Sequence, residues 1–168
     1  MSYSPLVIAM TSAPRTREGS DPVLRGEQRP SLEGVVVLVV DDDDDARVLL
    51  RILLERRNAT VLVASNARDA FVLVKTQQPH VIVSDIAMPE EDGYALIQRV
   101  RTLNEDRGGR TPAIAVTAYA GTGDRALALQ AGFDDHLPKP IDLDNLVETI
   151  LALYEAEMHD SPPESYRR

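Results

Sequence analysis

Apolar residues along this chain fall into two alternating patterns, short continuous runs and longer segments with helical spacing. The continuous runs predict strands, because they are short and several are rich in Val and Ile. The strands are predicted over residues 35–40, 60–64, 81–85 and 113–117 and over the short stretch 136–138. Helices are predicted over about 44–57, about 66–77, a segment beginning just after Gly93, a segment that Gly132 ends, and about 142–156.

The helical segments place their apolar side chains at the spacing of one helix face. In the first segment these residues are Val48, Leu49, Ile52 and Leu53. In the second they are Ala67, Ala70, Phe71 and Val74. Each spacing favours a helix over a further strand.

Five repeats of strand and helix predict an α/β fold with a parallel sheet, because parallel strands need crossover connections and helices then cover both faces. Strands 35–40 and 81–85 are nearly continuous apolar runs, as expected of central strands buried on both sides. We therefore expect a doubly wound, flavodoxin-like, five-stranded parallel sheet with strand order 2-1-3-4-5. In that order the switch point lies between strands 1 and 3.

Polar residues follow or end four of these strands. The first leads into Asp41 and Asp42, the third ends on Asp85, the fourth ends on Thr117, and the last leads to Lys139. Ligands of open α/β sheets bind at the carboxyl ends of the strands, so these side chains are expected to converge. Three carboxylates, a hydroxyl and an ammonium suit a divalent cation and a phosphoryl group.

Each of these residues has its own chemical interpretation. Adjacent carboxylates such as Asp41 and Asp42 repel each other and offer the hard oxygen ligands that Mg²⁺ prefers. A carboxylate at Asp85 can attack a phosphoryl group, and the Thr117 hydroxyl can donate a hydrogen bond to that group. Lys139 stands between two prolines, and its ammonium can pair with Asp85 and then with phosphoryl oxygens. The bond before a proline can be cis, which would aim Lys139 inward.

Simpler interpretations exist for each residue taken alone. The acidic run can be a solvated loop in which Asp43, Asp44 or Asp45 caps the following helix. Asp85 can cap or turn the loop that leads to Pro89, and a Thr at the end of a strand is ordinary. The joint pattern is more specific than any of its members.

Composition limits the classes of protein to consider. A net charge of −9 and a pI near 4.8 argue against nucleic acid as a direct partner, because phosphate binding needs a basic surface. The absence of cysteine excludes disulfides, thiol nucleophiles and thiolate metal sites. No apolar stretch approaches the roughly 20 residues of a membrane-spanning helix, and the apolar patch 6–10 lacks the basic flank of a signal peptide. A cytoplasmic protein without a membrane partner is expected.

The two ends of the chain differ from its centre. Residues 1–31 mix Ser, Pro, Thr, Arg and Gly without periodicity, which predicts a flexible arm. Residues 157–168 are predicted to form a similar tail. A single domain over 32–156 remains.

The central region closely resembles the receiver domain of two-component response regulators. The matching motifs are VLVVDD at 37–42, SDIAMP at 84–89 with DG at 92–93, VTA at 116–118 and LPKP at 137–140. By this resemblance Asp85 is the phosphoacceptor, Asp41 and Asp42 hold Mg²⁺ together with it, and Thr117 and Lys139 contact the phosphoryl group. The wording around residues 118–120 and 132–137 is most similar to receivers of hybrid histidine kinases.

Three positions bear on switching and on the lifetime of the phosphoryl group. Similar receivers often carry Tyr or Phe three residues before the lysine, and this ring swings inward when the threonine engages the phosphoryl group. Here the residue is His136, which puts the aromatic switch in doubt; a surface side chain of little consequence is the simpler expectation. Ala87 and Tyr119 flank the path of the hydrolytic water in similar domains. Ala87 cannot orient that water and Tyr119 can shield it, which predicts a long-lived phosphoryl state.

The resemblance also implies partners. A sensor or hybrid histidine kinase, or a histidine phosphotransfer protein, would supply the phosphoryl group. An unidentified downstream protein, or a second copy bound through the face of helix 4, strand 5 and helix 5, would respond to it. The short sequence after the receiver predicts no output domain, and the protein is not expected to be an enzyme that turns over an external substrate. Two alternatives are a phosphorylation-independent pseudo-receiver and a phosphatase with an Asp nucleophile; the phosphatase is disfavoured because Ala87 stands where its acid-base Asp would be.

Overall fold

The computed structural model describes residues 29–118 and 121–160, without the side chain of Thr122. Its strands are β1 (Val36–Val40), β2 (Thr60–Ala64), β3 (Val81–Asp85), β4 (Ala113–Thr117) and β5 (Asp135–Pro138). Its helices are α1 (Asp44–Glu55), α2 (Ala67–Gln77), α3 (Gly93–Arg101), α4 (Thr122–Ala131) and α5 (Leu143–Asp160), and a 3-10 turn spans Glu105–Arg107. The predicted alternation of strand and helix is confirmed.

The five strands form one parallel sheet with the order β2-β1-β3-β4-β5. This is the predicted flavodoxin-like topology, with the switch point between β1 and β3. All of β3 and β4 is buried, as expected of strands that helices cover on both faces.

Side chains at alternate positions of the strands belong to two separate hydrophobic cores, one on each face of the sheet. Leu38, Ile82 and Ala115 belong to the core under α2, α3 and α4. Val39, Val83 and Val116 belong to the core under α1 and α5. This alternation fixes the register of the strands, and therefore the height at which their carboxyl ends meet.

Helix α1 buries a different face from the one that its spacing marked. Val48, Leu49 and Ile52 are 48%, 56% and 40% exposed, whereas Leu50 and Leu54 are buried. Apolar residues fill positions 48–50 and 52–54, so helical spacing exists on more than one face. Packing against β1 and β2 selects the Leu50 and Leu54 face and leaves the other exposed.

Helix α5 continues beyond its predicted end at about 156 and reaches Asp160. Arg110 forms ion pairs with Glu157 and Asp160 of its last turns and with Glu105. These contacts tie the end of the helix to the loop before β4. Of the predicted arm and tail, residues 1–28 and 161–168 lie outside the described residues. No helix among the described residues is long and apolar enough to cross a membrane.

The imidazole of His80 supports the sheet at the end opposite the strand carboxyl ends. Its Nδ1 accepts a hydrogen bond from the Val36 backbone N–H at 2.9 Å, and its ring lies 5.1 Å from that of Tyr154. Burial lowers the pKa of His80 below its ordinary value of 6.5. The folded protein therefore needs the neutral ring.

The lowered pKa of His80 predicts the direction in which stability changes with pH. Because the pKa is lower in the folded state than in the unfolded state, the contribution of His80 is present above about pH 6.5 and is lost as the pH falls through the folded-state value. We expect His80→Asn, whose Oδ1 can accept the same hydrogen bond, to reduce the loss of urea stability between neutral and mildly acidic pH. An equally steep loss in the variant would show that His80 does not govern this range. His159→Asn is the control on an exposed histidine.

Candidate functional site

The polar residues at the strand ends come together as predicted. Asp41 follows β1, Asp85 and Thr117 are the last residues of β3 and β4, and Lys139 follows β5. Lys139 Nζ lies 3.1 Å from Asp41 Oδ2 and 3.2 Å from Asp85 Oδ1, although Asp41 and Lys139 are 98 positions apart in the chain. The lysine therefore bridges the two buried carboxylates, whose side chains are 3% and 6% exposed.

Asp42 completes an acidic cluster with these two residues. One carboxylate oxygen from each of Asp41, Asp42 and Asp85 lies within 4.8 Å of the others. Asp42 is exposed while the other two are buried, so the cluster is anchored in the protein and opens to solvent. An all-oxygen donor set with room for water ligands fits Mg²⁺, which keeps several waters when it binds proteins. These residues could hold that ion.

Asp43, the next residue of the acidic run, has a structural role. Asp43 caps α1, since its Oδ1 accepts hydrogen bonds from the backbone N–H groups of Asp45 and Ala46 at 2.9 and 3.0 Å. Its own N–H donates to Asp41 Oδ1 at 2.9 Å. Backbone hydrogen bonding, above all from Ala46, lowers the pKa of Asp43. The capping interpretation of the run is confirmed for Asp43, and the side chains of Asp41 and Asp42 stay available as metal ligands.

Arg47 is a contributor that the sequence reasoning missed. Its NH1 group donates to the backbone carbonyl of Asp41 at 2.6 Å, and its NH2 group pairs with Asp44. The guanidinium thus holds the turn that carries Asp41 and Asp42. The spacing of three residues between Asp44 and Arg47 on a predicted helix was the available signal.

Burial and charge shift the ionisation of the two central groups. Desolvation raises the pKa of Asp85, with further contributions from Asp41 and Asp42, against the lowering effect of Lys139. Burial alone would lower the pKa of Lys139, but its hydrogen bonds and charge pairing with Asp41 and Asp85 raise it overall. At neutral pH the site therefore holds a cation that offsets the excess of carboxylates.

Thr117 and Lys139 are coupled through the backbone. Thr117 is buried, and its carbonyl accepts a hydrogen bond from the Lys139 N–H at 2.7 Å. The Lys139–Pro140 peptide bond is cis, as the sequence suggested. A displacement of either residue would therefore strain this hydrogen bond and shift the other residue.

The loop after Asp85 is held close to the sheet. The Ile86 N–H donates to the Val116 carbonyl at 3.0 Å, and the Gly93 N–H donates to the Ile86 carbonyl at 2.9 Å. Asp92 caps α3 through the Ala95 N–H. A Cβ on Gly93 would lie 2.5 Å from the Asp85 carbonyl oxygen, so only glycine allows this approach.

We expect Gly93→Ala to push the loop away from β3 and to displace Asp85. Overpacking of this kind costs about 1–3 kcal/mol, which urea denaturation measures. Gly123→Ala is the matched control, because a Cβ there meets nothing within 4 Å. Unchanged stability in Gly93→Ala would refute this role of the glycine.

The structure places two of the three residues that the sequence links to switching and to phosphoryl lifetime. His136 is 8% exposed, so the expectation of a surface side chain is wrong: as a residue of β5 covered by α4, it points into the protein. Ala87 is exposed beside Asp85. Tyr119 lies outside the described residues.

An apolar groove lies next to the site. It has a volume of about 260 Å³ and runs between α1 and the segment after β5. Its lining comprises Ala46, Leu49, Leu50, Leu53, Lys139, Pro140, Ile141 and Leu143. The exposed face of α1 therefore continues directly to the lysine of the site.

Comparison with known proteins decides the family. The family model for the response regulator receiver domain matches residues 37–151. The chain belongs to this family. An uncharacterized 14.6 kDa protein encoded in the sodA1 3′ region of Leptolyngbya boryana is 51% identical over 104 residues, which cover 62% of this chain and 78% of that protein.

Two further similar proteins are a response regulator and the receiver domain of a sensor histidine kinase. Response regulator MprA of Mycobacterium sp. (strain KMS) is 34% identical over 119 residues, or 71% of this chain, which spans only 50% of that regulator. The receiver domain of the sensor histidine kinase PA1611 of Pseudomonas aeruginosa is 29% identical, with a TM-score of 0.66 over 73% of this chain and 98% of that domain. That structure carries a magnesium ion coordinated in its active-site cleft.

Proposed function

We propose that this receiver accepts a phosphoryl group on Asp85, from a histidine kinase or a histidine phosphotransfer protein, with Mg²⁺ as cofactor. The observation that carries the proposal is the cluster of Asp41, Asp42 and Asp85 with the Lys139 ammonium 3.1–3.2 Å from two of them. Such a cluster lowers the stability of the folded protein, because the carboxylates repel one another. A bound cation would reduce this repulsion. A cation and a dianionic phosphoryl group would satisfy the cluster.

The transfer step follows from this geometry. A carboxylate oxygen of Asp85 attacks phosphorus, the new P–O bond forms as the P–N bond to the donor imidazole breaks, and the imidazole leaves with the electron pair. When bound, Mg²⁺ supplies charge neutralisation for the carboxylates and the phosphoryl oxygens. Lys139 releases Asp85 and pairs with a phosphoryl oxygen, while the Thr117 hydroxyl donates to another. The protein contributes positioning and electrostatics.

The donor protein would dock beside the site. A phosphohistidine can reach Asp85 only if the surface around it meets the donor, and the exposed Val48, Leu49 and Ile52 on α1 and the adjoining groove supply apolar contact area there. Arg51 of α1 and Arg56 at the C-terminal end of that helix are also exposed. A donor with an apolar and acidic helix face fits this surface.

Phosphorylation would be transmitted through β4 and β5. Thr117 and Lys139 belong to these neighbouring strands and share a backbone hydrogen bond, so their engagement with the phosphoryl group would shift the loops that follow them. The face of α4, β5 and α5 would then change its affinity for a downstream protein or a second copy. The phosphoryl group is transferred to the protein's own side chain, and turnover of an external substrate is not part of the proposal.

Intact-mass analysis after incubation with acetyl phosphate, with and without Mg²⁺, tests the proposal. We expect one phosphoryl adduct that needs Mg²⁺ and maps to Asp85. A phosphohistidine donor protein is the second substrate, since some receivers ignore small donors. No adduct from either donor, together with no Mg²⁺ binding in a calorimetric titration, would instead support a phosphorylation-independent interaction module.

Ala87 gives a prediction for the lifetime of the adduct. Its methyl group offers no hydrogen-bond partner to a water molecule that approaches the phosphorus from the exposed side. We expect Ala87→Asn, whose amide can orient that water, to lose the phosphoryl group several-fold faster than wild type, as followed by mass after donor removal. Ala87→Val, which adds volume without a polar group, should not be faster. Slower loss in Ala87→Asn would contradict the role assigned to this position.

A further inference from the structure

A cavity lies between the C-terminal end of α1, the segment that leads into β1 and the start of α5. Its volume is about 330 Å³. Leu53 and Leu143 line both this cavity and the apolar groove beside the functional site. The acidic cluster and Lys139 lie outside its lining, so the cavity is separate from the place of the proposed phosphoryl transfer.

Three guanidinium groups line this cavity, those of Arg29, Arg56 and Arg57. Arg57 pairs with Asp144 on α5. Across residues 29–118 and 121–160, Arg29 and Arg56 form no ion pair. Three positive charges thus face one paired carboxylate, in a chain whose net charge is −9. An anion in the cavity would reduce the repulsion among the guanidiniums.

Arg57 is held in place by the segment before β1 as well as by α5. Its side chain is only 9% exposed. Its NH1 group donates to the Pro30 carbonyl at 3.4 Å, and its own backbone carbonyl accepts the Leu32 N–H at 2.6 Å. The contacts with Pro30 and Asp144 use two of the five N–H donors of the guanidinium. The other donors can reach a ligand without a change in this arrangement.

Ser31 adds a neutral donor to the same cavity. Its Oγ accepts hydrogen bonds from the Glu33 backbone N–H at 3.3 Å and from Asn58 Nδ2 at 3.1 Å. Because both lone pairs of the hydroxyl are engaged, its hydrogen is the part that can bind a ligand. The polar groups of the cavity therefore act mainly as donors, which suits an acceptor-rich anion.

The size and the apolar walls of the cavity narrow the class of anion. Guanidinium groups bind phosphate and carboxylate oxygens through paired hydrogen bonds. A dianionic phosphate gains more than a monoanionic carboxylate from three positive charges. Pro30, Leu53 and Leu143 offer contact to an apolar group, and the volume is at the small end of the range of about 300–1,000 Å³ for small-molecule sites.

We propose that this cavity binds a small organic phosphate, whose phosphate group pairs with Arg29, Arg56 and Arg57 and whose organic part packs on Leu53 and Leu143. Binding needs no Mg²⁺ and does not depend on phosphoryl transfer to the protein. The ligand competes with Pro30 and Asp144 for the Arg57 guanidinium. Occupancy would therefore shift the segment before β1 and the start of α5.

Heteronuclear NMR of the full chain, titrated with phenyl phosphate without Mg²⁺ and at constant ionic strength, tests this proposal. We expect the backbone amides of Ser31, Asn58 and Leu143 to shift together and to saturate. Inorganic phosphate lacks the apolar group and benzoate carries a single charge, so each should bind several-fold more weakly. Equal affinity for either one would overturn this ligand class. Shifts that do not saturate, or that centre on Asp85 and Lys139, would overturn the site.

Variants of exposed arginines separate the cavity from general charge effects. Arg56→Gln and Arg29→Gln should each weaken the binding of phenyl phosphate at least about fivefold, because each removes a charge-assisted hydrogen bond. Arg51→Gln is the matched control, since Arg51 is exposed on the same helix but does not line the cavity. Equal affinity in all three variants would overturn the proposal. Asp85→Asn should bind like wild type, so failure of the phosphorylation experiment would leave this result unaffected.

Discussion

Replacement of Asp85 by Asn is expected to abolish the phosphoryl adduct and, in the same protein, to raise the melting temperature. An amide oxygen cannot form a stable acyl phosphate in place of a carboxylate, so the adduct should fall below detection. The gain in stability comes from the site itself, because burial and the neighbouring Asp41 and Asp42 raise the pKa of Asp85. The folded protein therefore disfavours the charged form that exists at neutral pH.

The sign follows from the two states of the carboxyl group. A pKa that is higher in the folded than in the unfolded protein gives a favourable contribution at low pH, which is lost as the pH rises through the folded-state value. At neutral pH Asn removes the unfavourable charge, and we expect a rise of about 2–6 °C for a change near 1 kcal/mol. Thermal denaturation and intact mass on the same preparation measure both effects.

Asp45→Asn is the matched control, since Asp45 belongs to the same acidic run and is exposed. It should keep the adduct and leave the melting temperature within about 1 °C. A labile phosphoryl group on the Asp85 variant would place the acceptor elsewhere. A lower melting temperature in that variant would mean that the lysine bridge outweighs the repulsion among the carboxylates.

The second large effect is expected for Lys139→Met. Loss of the ammonium leaves the buried carboxylates of Asp41 and Asp85 without their cation. Breaking a fully buried pair costs about 3–5 kcal/mol, and we expect about 2–3 kcal/mol here because Lys139 is 31% exposed. Urea denaturation at neutral pH measures this loss.

Magnesium should restore part of that loss, because the same carboxylates could hold the ion. Under the proposed transfer, phosphorylation should nevertheless stay at least about 100-fold slower, since Lys139 is proposed to pair with a phosphoryl oxygen. Lys75→Met is the control: it removes the other lysine of the chain, which is exposed and whose ammonium lies over the Phe71 ring. A Lys139 variant as stable as this control would show that solvent already screens the two carboxylates.

Much of this site could be predicted because its residues are tied to strand ends. A buried run of Val and Ile leaves little freedom over where a strand stops, and parallel topology brings Asp41, Asp85, Thr117 and Lys139 to one edge. The contacts of Arg47 and the close approach at Gly93 depend on how a turn and a loop fold back onto the sheet. Local sequence spacing carries only a weak signal for such contacts.

The sequence predicted less well which side chains of α1 and β5 are buried, because burial also depends on tertiary packing. In α1, apolar residues on both sides of the helix make its spacing ambiguous, and only docking onto β1 and β2 decides that Leu50 and Leu54 are inside. In β5, the alternation of a short strand cannot show that α4 covers His136. The extension of α5 to Asp160 is accompanied by an ion pair with Arg110, a residue 50 positions away from Asp160 in the chain.

The scarcity of lysine gives the bridge at the strand ends an experimental use. The chain has two lysines, Lys75 and Lys139, so an acylating reagent meets only these two side-chain amines and the terminal amine. Lys75 is exposed, whereas Lys139 is held between two carboxylates and should react slowly. The ratio of label on the two side chains therefore measures whether Lys139 is paired with Asp41 and Asp85. A bound cation or a phosphoryl group that displaces Lys139 would change this ratio.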